Sequence, residues 1–185
     1  MQLADLRKKL MHDRKILCTG NPANPSNLAF GIKKIFPDST FIHLSNGWDL
    51  KDQSRDQELA MLFKQHNTFI NASYIDVFVQ SRLLELCQAS VKYCDVFNIG
   101  STHEYDGLGS VNYRDSKIDL RNKSLELNTY RFKTHHIIVG GINKHNTVDT
   151  KDWLSIDAVC GIIPWIIDQN FEVPIICIDQ AKGAW

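Results

Sequence analysis

At 185 residues, with 43% hydrophobic and 23% charged side chains, the chain is sized for one domain with a full core, and wholesale disorder is excluded. Its 21 basic residues balance 21 acidic ones, which disfavours nucleic acid as the main partner, because a polyanion binder carries a basic excess. The longest apolar runs, Gly161 to Ile167 and Val173 to Ile178, fall far short of the roughly 20 residues a membrane helix needs.

Residues 1–13 form an amphipathic candidate with Leu3, Leu6 and Leu10 on one side, predicted as an N-terminal helical extension docked ahead of the first strand. Asp5, Arg7, Lys8 and Lys9 bring charge where a signal peptide turns apolar, so a cytoplasmic protein is expected. Strands are predicted at 15–19, 40–44, 68–71, 95–99, 136–140 and 174–178, most of them apolar nearly throughout. Helical stretches fall between them, near 26–36, 53–66, 75–91, 111–130 and 152–169. Alternation of this kind predicts an α/β fold: a Rossmann-like, doubly wound, mostly parallel sheet of about six strands with helices on both faces. No repeat or linker interrupts the pattern, so a single domain over 1–185 is expected. Five cysteines (Cys18, Cys87, Cys94, Cys160 and Cys177) are odd in number and lack CxxC spacing. Four lie in apolar segments, which reads as reduced core thiols.

The first strand runs into Gly20-Asn21-Pro22-Ala23-Asn24-Pro25-Ser26-Asn27. Asn24 before Pro25 is a good helix start, and a strand feeding a helix N-terminus at a parallel-sheet edge is where phosphates bind. Two residues after the predicted fourth strand stands Ser101, and 12 residues further on Tyr113 and Lys117 open a helix. Residues four apart stack on one helix face, so phenol and ammonium share a site. A neighbouring cation favours phenolate, lowering a tyrosine pKa that otherwise lies near 10. Such a tyrosine exchanges a proton with a carbonyl or alcohol, and a serine on the adjacent strand end holds the same oxygen.

In these features the chain resembles the short-chain dehydrogenases/reductases, as a shortened and atypical member. Thr19 and Gly20 match the family's TGxxxGxG turn, with Asn24 and Ser26 standing at the later glycines. Ser45-Asn46 resembles the Ser-Arg pair of phosphate-accepting relatives, although Asn46 replaces the arginine, and Asp49-Leu50 resembles the Asp-Leu pair near the adenine. Asn71-Ala72-Ser73 is similar to the Asn-Asn-Ala-Gly strand end, Gly140-Gly141 stands where Pro-Gly follows the sixth strand, and Val173 to Asp179 resembles the last strand. Between the second-strand tip at Ser45-Asn46 and Asp49-Leu50 the family's usual helix and strand are missing, which shortens the fold by one unit.

The resemblance implies an oxidoreductase transferring a hydride between a nicotinamide cofactor and a small carbonyl or alcohol. Ser101 would orient the substrate, Tyr113 would be the acid/base, and Lys117 would lower the tyrosine pKa while binding the nicotinamide ribose. Cofactor contacts would come from Thr19, Gly20, Asn24, Ser26, Ser45, Asn46, Asp49, Asn71, Ala72, Lys117, Gly140 and Gly141. The cofactor would be NADP or NAD, with a mild preference for NADP because the second strand tip has no acidic residue. A homo-oligomer is expected. The family's relay asparagine has no clear counterpart, with Asp76 and Gln80 in that region. The short polar segment 142–152 suggests a small substrate or an open site.

His135-His136 has no third ligand spaced to hold a metal and reads as structural. His103 reads as a solvated loop histidine, and Trp48, Trp153 and Trp165 as packing residues. The alternative is a catalytically impaired protein of the same fold, acting as a nucleotide-binding, regulatory or scaffold module; the departures from the glycine turn favour it.

Overall fold

The computed structural model describes residues 13–143, 153–169 and 171–179. The predicted helix over 1–13 lies, apart from its last residue, outside the described residues, as does most of segment 142–152. Six parallel strands form the sheet: β1 (Ile16–Thr19), β2 (Thr40–Ile42), β3 (Thr68–Asn71), β4 (Cys94–Ile99), β5 (Phe132–Val139) and, at the far edge, Ile175–Ile178. Two shorter strands, β6 (Ile142–Asn143) and β7 (Leu154–Ser155), make a separate parallel pair, so the edge strand is β8. The sheet order is β2-β1-β3-β4-β5-β8, with every neighbouring pair parallel. Only β2 lies outside β1, where the dinucleotide-binding order 3-2-1-4-5-6 has two strands. The expected loss of one unit is therefore visible in the sheet.

Strand residues alternate between two cores, as the period of two requires. Cys18, Ile70, Phe97, Ile99, Ile137 and Val139 face one side, where helices α1 (Leu28–Ile35) and α6 (Ile156–Ile167) cover them. Leu17, Phe69 and Val96 face the other, under α2 (Asp56–Phe63), α3 (Val79–Ser90) and α5 (Val111–Glu126). A short helix, α4 (His103–Asp106), follows β4. Gly31 lets α1 touch α6: a Cβ there would meet Cys160 Sγ and Ile156 Cγ2, each at 2.7 Å. Cys18, Cys87, Cys94 and Cys160 are buried free thiols, and Cys177 is an exposed one.

Element ends moved where side-chain chemistry outweighed the hydrophobic pattern. The first helix starts at Leu28, not near 26: Asn27, rather than Asn24, is its cap, accepting from Ala29 N at 3.0 Å. β5 begins at Phe132, four residues early, so His135 and His136 lie within the strand. His135 stacks on Phe97 with centroids 4.8 Å apart and bonds the Val173 carbonyl through Nδ1 at 2.8 Å.

Candidate active site

The loops leaving the carboxyl ends of the parallel strands wall a cleft of about 1750 Å³. Gly20 follows β1, His43 follows β2, Ala72 follows β3, Ser101 follows β4, Gly140 follows β5 and Asp179 follows β8. The chain passes from β1 to β2 on one side and to β3 on the other, so the cleft sits at the topological switch point, where open α/β sheets bind ligands.

Ser110 caps α5, accepting from Tyr113 N at 3.3 Å, and thereby sets Tyr113 in the first turn and Lys117 one turn later. The Ser101 hydroxyl acts on the Tyr113 phenol, favouring its ionised form. Lys117 Nζ lies 5.5 Å from the Tyr113 ring centroid. Ser101, Tyr113 and Lys117, read from three separate features of the sequence, therefore converge on one wall of the cleft.

The electrostatics differ from the expectation. Burial pushes the Tyr113 phenol up, the Ser101 hydrogen bond offsets part of that, and the Glu104 charge adds to the rise. The anticipated lowering by Lys117 does not appear, because burial draws the lysine ammonium down to about 7, with Glu104 opposing. The ammonium is instead spent locally, donating to Gln80 Oε1 and to the Ile99 carbonyl, each at 2.6 Å. Gln80 thus occupies the region where the relay asparagine was sought.

Behind it runs a buried polar chain. Gln80 Nε2 donates to the Asn71 carbonyl at 2.8 Å, Asn71 Nδ2 to the Gln80 carbonyl at 2.8 Å and to Asn98 Oδ1 at 3.1 Å, and Asn98 Nδ2 to Ser124 Oγ at 3.1 Å. Asn71 is fully buried in this chain and does not reach the cleft, so its expected cofactor contact is corrected to a bracing role. Thr19 is corrected likewise: its buried hydroxyl accepts from Ala72 N at 2.9 Å and Ser73 N at 3.0 Å, tying β1 to the loop after β3. Phe78, the one described non-glycine residue with positive φ, at 58°, donates its N–H to Ser116 Oγ at 3.1 Å and so anchors the entry to α3 against α5.

The glycine-poor first turn is held by asparagine side chains. Asn21 Oδ1 accepts from Ala23 N and Asn24 Oδ1 from Ser26 N, each at 2.9 Å, while Asn24 N and Asn27 N donate to carbonyls inside the turn. Asn24 is exposed outside the cleft, a third correction, because its side chain is used by its own turn. Gly20 and Ser26 do line the cleft. Gly20 has φ 121°, and a Cβ there would meet Ser73 Oγ at 2.6 Å. At the β2 tip Ser45 and Asp49 line the cleft, but Asn46 does not: its side chain folds back, donating to the Phe41 carbonyl at 2.7 Å and accepting from His43 N at 3.0 Å.

Ala72, Gly140 and Gly141 lie along the lining, and Asp179 packs against Gly140. Three aromatic residues also wall this end of the cleft. Tyr74 meets Tyr113 edge-to-face with centroids 4.8 Å apart, Tyr105 lines the mouth, and Trp153 lies on Gly141, where a Cβ would meet its ring at 2.7 Å. Trp48 also lines the cleft, stacked under Arg55 at 4.2 Å. His103 is more than a solvated loop residue: its Nδ1 faces Asp106 Oδ1 at 3.1 Å and its ring stands edge-on to Tyr113 at 5.9 Å.

No protein-family model and no curated protein matches the sequence. Solved structures do match. An apo SCOR enzyme from Clostridium thermocellum superposes with TM-score 0.67 at 12% identity, over 94% of this chain and 98% of that one. MalC reductase/Diels-Alderase from Malbranchea aurantiaca gives 0.71 at 9% identity, over 94% and 98%. A short-chain dehydrogenase from Burkholderia cenocepacia in complex with NADP gives 0.63 at 11% identity, over 88% and 87%. The chain has the short-chain dehydrogenase/reductase fold.

Proposed function

We propose that the protein is an oxidoreductase that moves a hydride between a nicotinamide dinucleotide and a small carbonyl or alcohol, working as a reductase near neutral pH. The observation that carries this reading is the convergence of Ser101, Tyr113 and the buried Lys117 on one wall of the cleft, with the Lys117 ammonium 5.5 Å from the Tyr113 ring. In this reading Tyr113 holds the proton delivered to a carbonyl oxygen, and burial keeps it on the phenol. Ser101 donates its own hydroxyl hydrogen to the same oxygen. Lys117, fixed by Gln80 and the Ile99 carbonyl, would hold the nicotinamide ribose.

The cleft, at about 1750 Å³, exceeds the roughly 300–1,000 Å³ of ordinary small-molecule sites and has room for a dinucleotide. Gly20, Ser26, Ala72 and Gly140 would hold it, and Ser45 and Asp49 would flank its adenosine end. The bound dinucleotide would supply the hydride. With His43 rather than an acid following β2, NADP is mildly preferred over NAD. We read the chain as one unit, cytoplasmic, and as a homo-oligomer; no described helix is long and apolar enough to cross a membrane.

A second reading, a binding or regulatory module without turnover, is favoured by the first turn. There the amides of residues 23, 24, 26 and 27 are already bonded within the turn and are not free to grip a diphosphate. Titration with NADPH and NADH, followed by nicotinamide fluorescence and then by a panel of small aldehydes and ketones, separates the two. Submillimolar binding with carbonyl-dependent loss of NADPH is expected; absence of binding by either nucleotide would overturn the oxidoreductase reading.

A further inference from the structure

The end of the cleft around Tyr113 is walled by rings that stay open to solvent. Tyr74, from the loop after β3, meets Tyr113 edge-to-face with centroids 4.8 Å apart and keeps 38% of its surface exposed. Trp153, 43% exposed, lies on Gly141 beyond the end of β5, and the next residue pins it there, Leu154 N donating to the Gly141 carbonyl at 2.9 Å. Thr102 N donates to the Val139 carbonyl at 3.1 Å, so the loop carrying Ser101 runs beside the one carrying Gly141. β3 and β5 are the two neighbours of β4, so Tyr74 and Trp153 flank Ser101 over strands roughly 10 Å apart. Tyr105 and Leu108, each 62% exposed, line the cleft from the segment after β4. Large apolar side chains gathered in a concave site and left facing water mark a surface that a ligand covers.

The charges at this end disfavour an anionic guest. Lys117 spends its ammonium on Gln80 Oε1 and the Ile99 carbonyl, each at 2.6 Å. Among the described residues the other lysine of the lining, Lys51, stands in the loop after β2 and faces Asp76 at 3.9 Å, and no arginine lines the cleft. Asp106 and Asp179 line it instead, and Asp106 Oδ1 holds His103 Nδ1 at 3.1 Å. A carboxylate or phosphate on the guest would meet carboxylates of its own sign.

We propose that the substrate is a neutral aryl aldehyde or ketone, with its ring between Tyr74 and Trp153 and its carbonyl oxygen at Tyr113 and Ser101. The reaction rests on the oxidoreductase reading above; the binding preference rests on the rings and charges alone. An aromatic guest meets these rings edge-on or offset-stacked and gains beyond the area it buries, which a saturated ring of similar size does not.

Benzamide, cyclohexanecarboxamide and 4-carboxybenzamide carry the carbonyl but accept no hydride, so their binding is read without turnover. In ligand-observed saturation-transfer NMR, with and without NADPH, benzamide should bind roughly 2- to 10-fold tighter than cyclohexanecarboxamide, and 4-carboxybenzamide weaker than benzamide. Trp153→Ala and Tyr74→Ala should each erase the preference for the flat ring, and either variant serves should the other not fold. Where the parent turns over, kcat/KM for benzaldehyde should exceed that for cyclohexanecarbaldehyde by a similar factor. A parent that prefers benzamide but reduces neither aldehyde would overturn the oxidoreductase reading and leave the aryl-carbonyl site standing. Equal binding of the flat and the saturated ring, a preference that survives in the folded variants, or 4-carboxybenzamide binding as tightly as benzamide would overturn the proposal.

Discussion

Lys117 and Gln80 meet across the gap between α5 and α3, with the ammonium 2.6 Å from the amide oxygen and neither side chain open to solvent. Gln80 in turn holds the Asn71 carbonyl, so one side chain joins the candidate catalytic lysine to the end of β3. The stability of the sheet edge and the placement of the site are therefore coupled.

Replacing Gln80 with Leu should cost about 2–4 kcal/mol, because a buried ammonium loses one of its two acceptors and a buried carbonyl loses its donor. Urea unfolding monitored by circular dichroism measures this directly. A Gln80→Leu protein as stable as its parent would contradict the coupling.

Lys117 also makes stability depend on pH. Its folded pKa is about 7, below the unfolded lysine value, so from near pH 7 to near pH 10 the unfolded chain binds the extra proton. Stability contributed through this group should rise with pH across that window, by at most about 1.4 kcal/mol per pH unit. Lys117→Met removes the titration, and the difference between parent and variant in thermal melts taken from pH 6 to pH 10 isolates it. Parallel curves would show that the lysine titrates normally in the fold.

Gly31→Ala should destabilise by about 1–3 kcal/mol through overpacking, since its Cβ would sit 2.7 Å from Cys160 Sγ and Ile156 Cγ2. Adding Cys160→Ala should recover part of the loss, a non-additivity expected of touching residues and readable in the same unfolding experiment. Strict additivity would place the strain elsewhere.

The frame was legible from the residues because its signals are periodic. Thr68–Asn71 reads as a buried strand from four consecutive residues, and the alternation of strands and helices leaves few arrangements besides a parallel sheet. Tyr113 and Lys117 could be paired from the sequence because a helix turn brings residues four apart together. Thr19, Asn24, Asn46 and Asn71 were misread as cofactor contacts because the same polar side chain can face a ligand or close a local turn. At these positions backbone groups two to nine residues away, or on a neighbouring loop, claimed the side chain. Glu104 is a buried acid on the short helix after β4. Its burial depends on His136 and Arg121, 32 and 17 residues away, which no local pattern joins.

In the proposed reaction Tyr113 supplies the proton for hydride transfer, and Tyr113→Phe removes the oxygen that carries it. In stopped-flow turnover with saturating NADPH and a reducible carbonyl, the rate should fall by roughly 10²–10⁴-fold while nucleotide fluorescence titrations superpose on the parent. Turnover that survives the loss of this one oxygen would contradict the account.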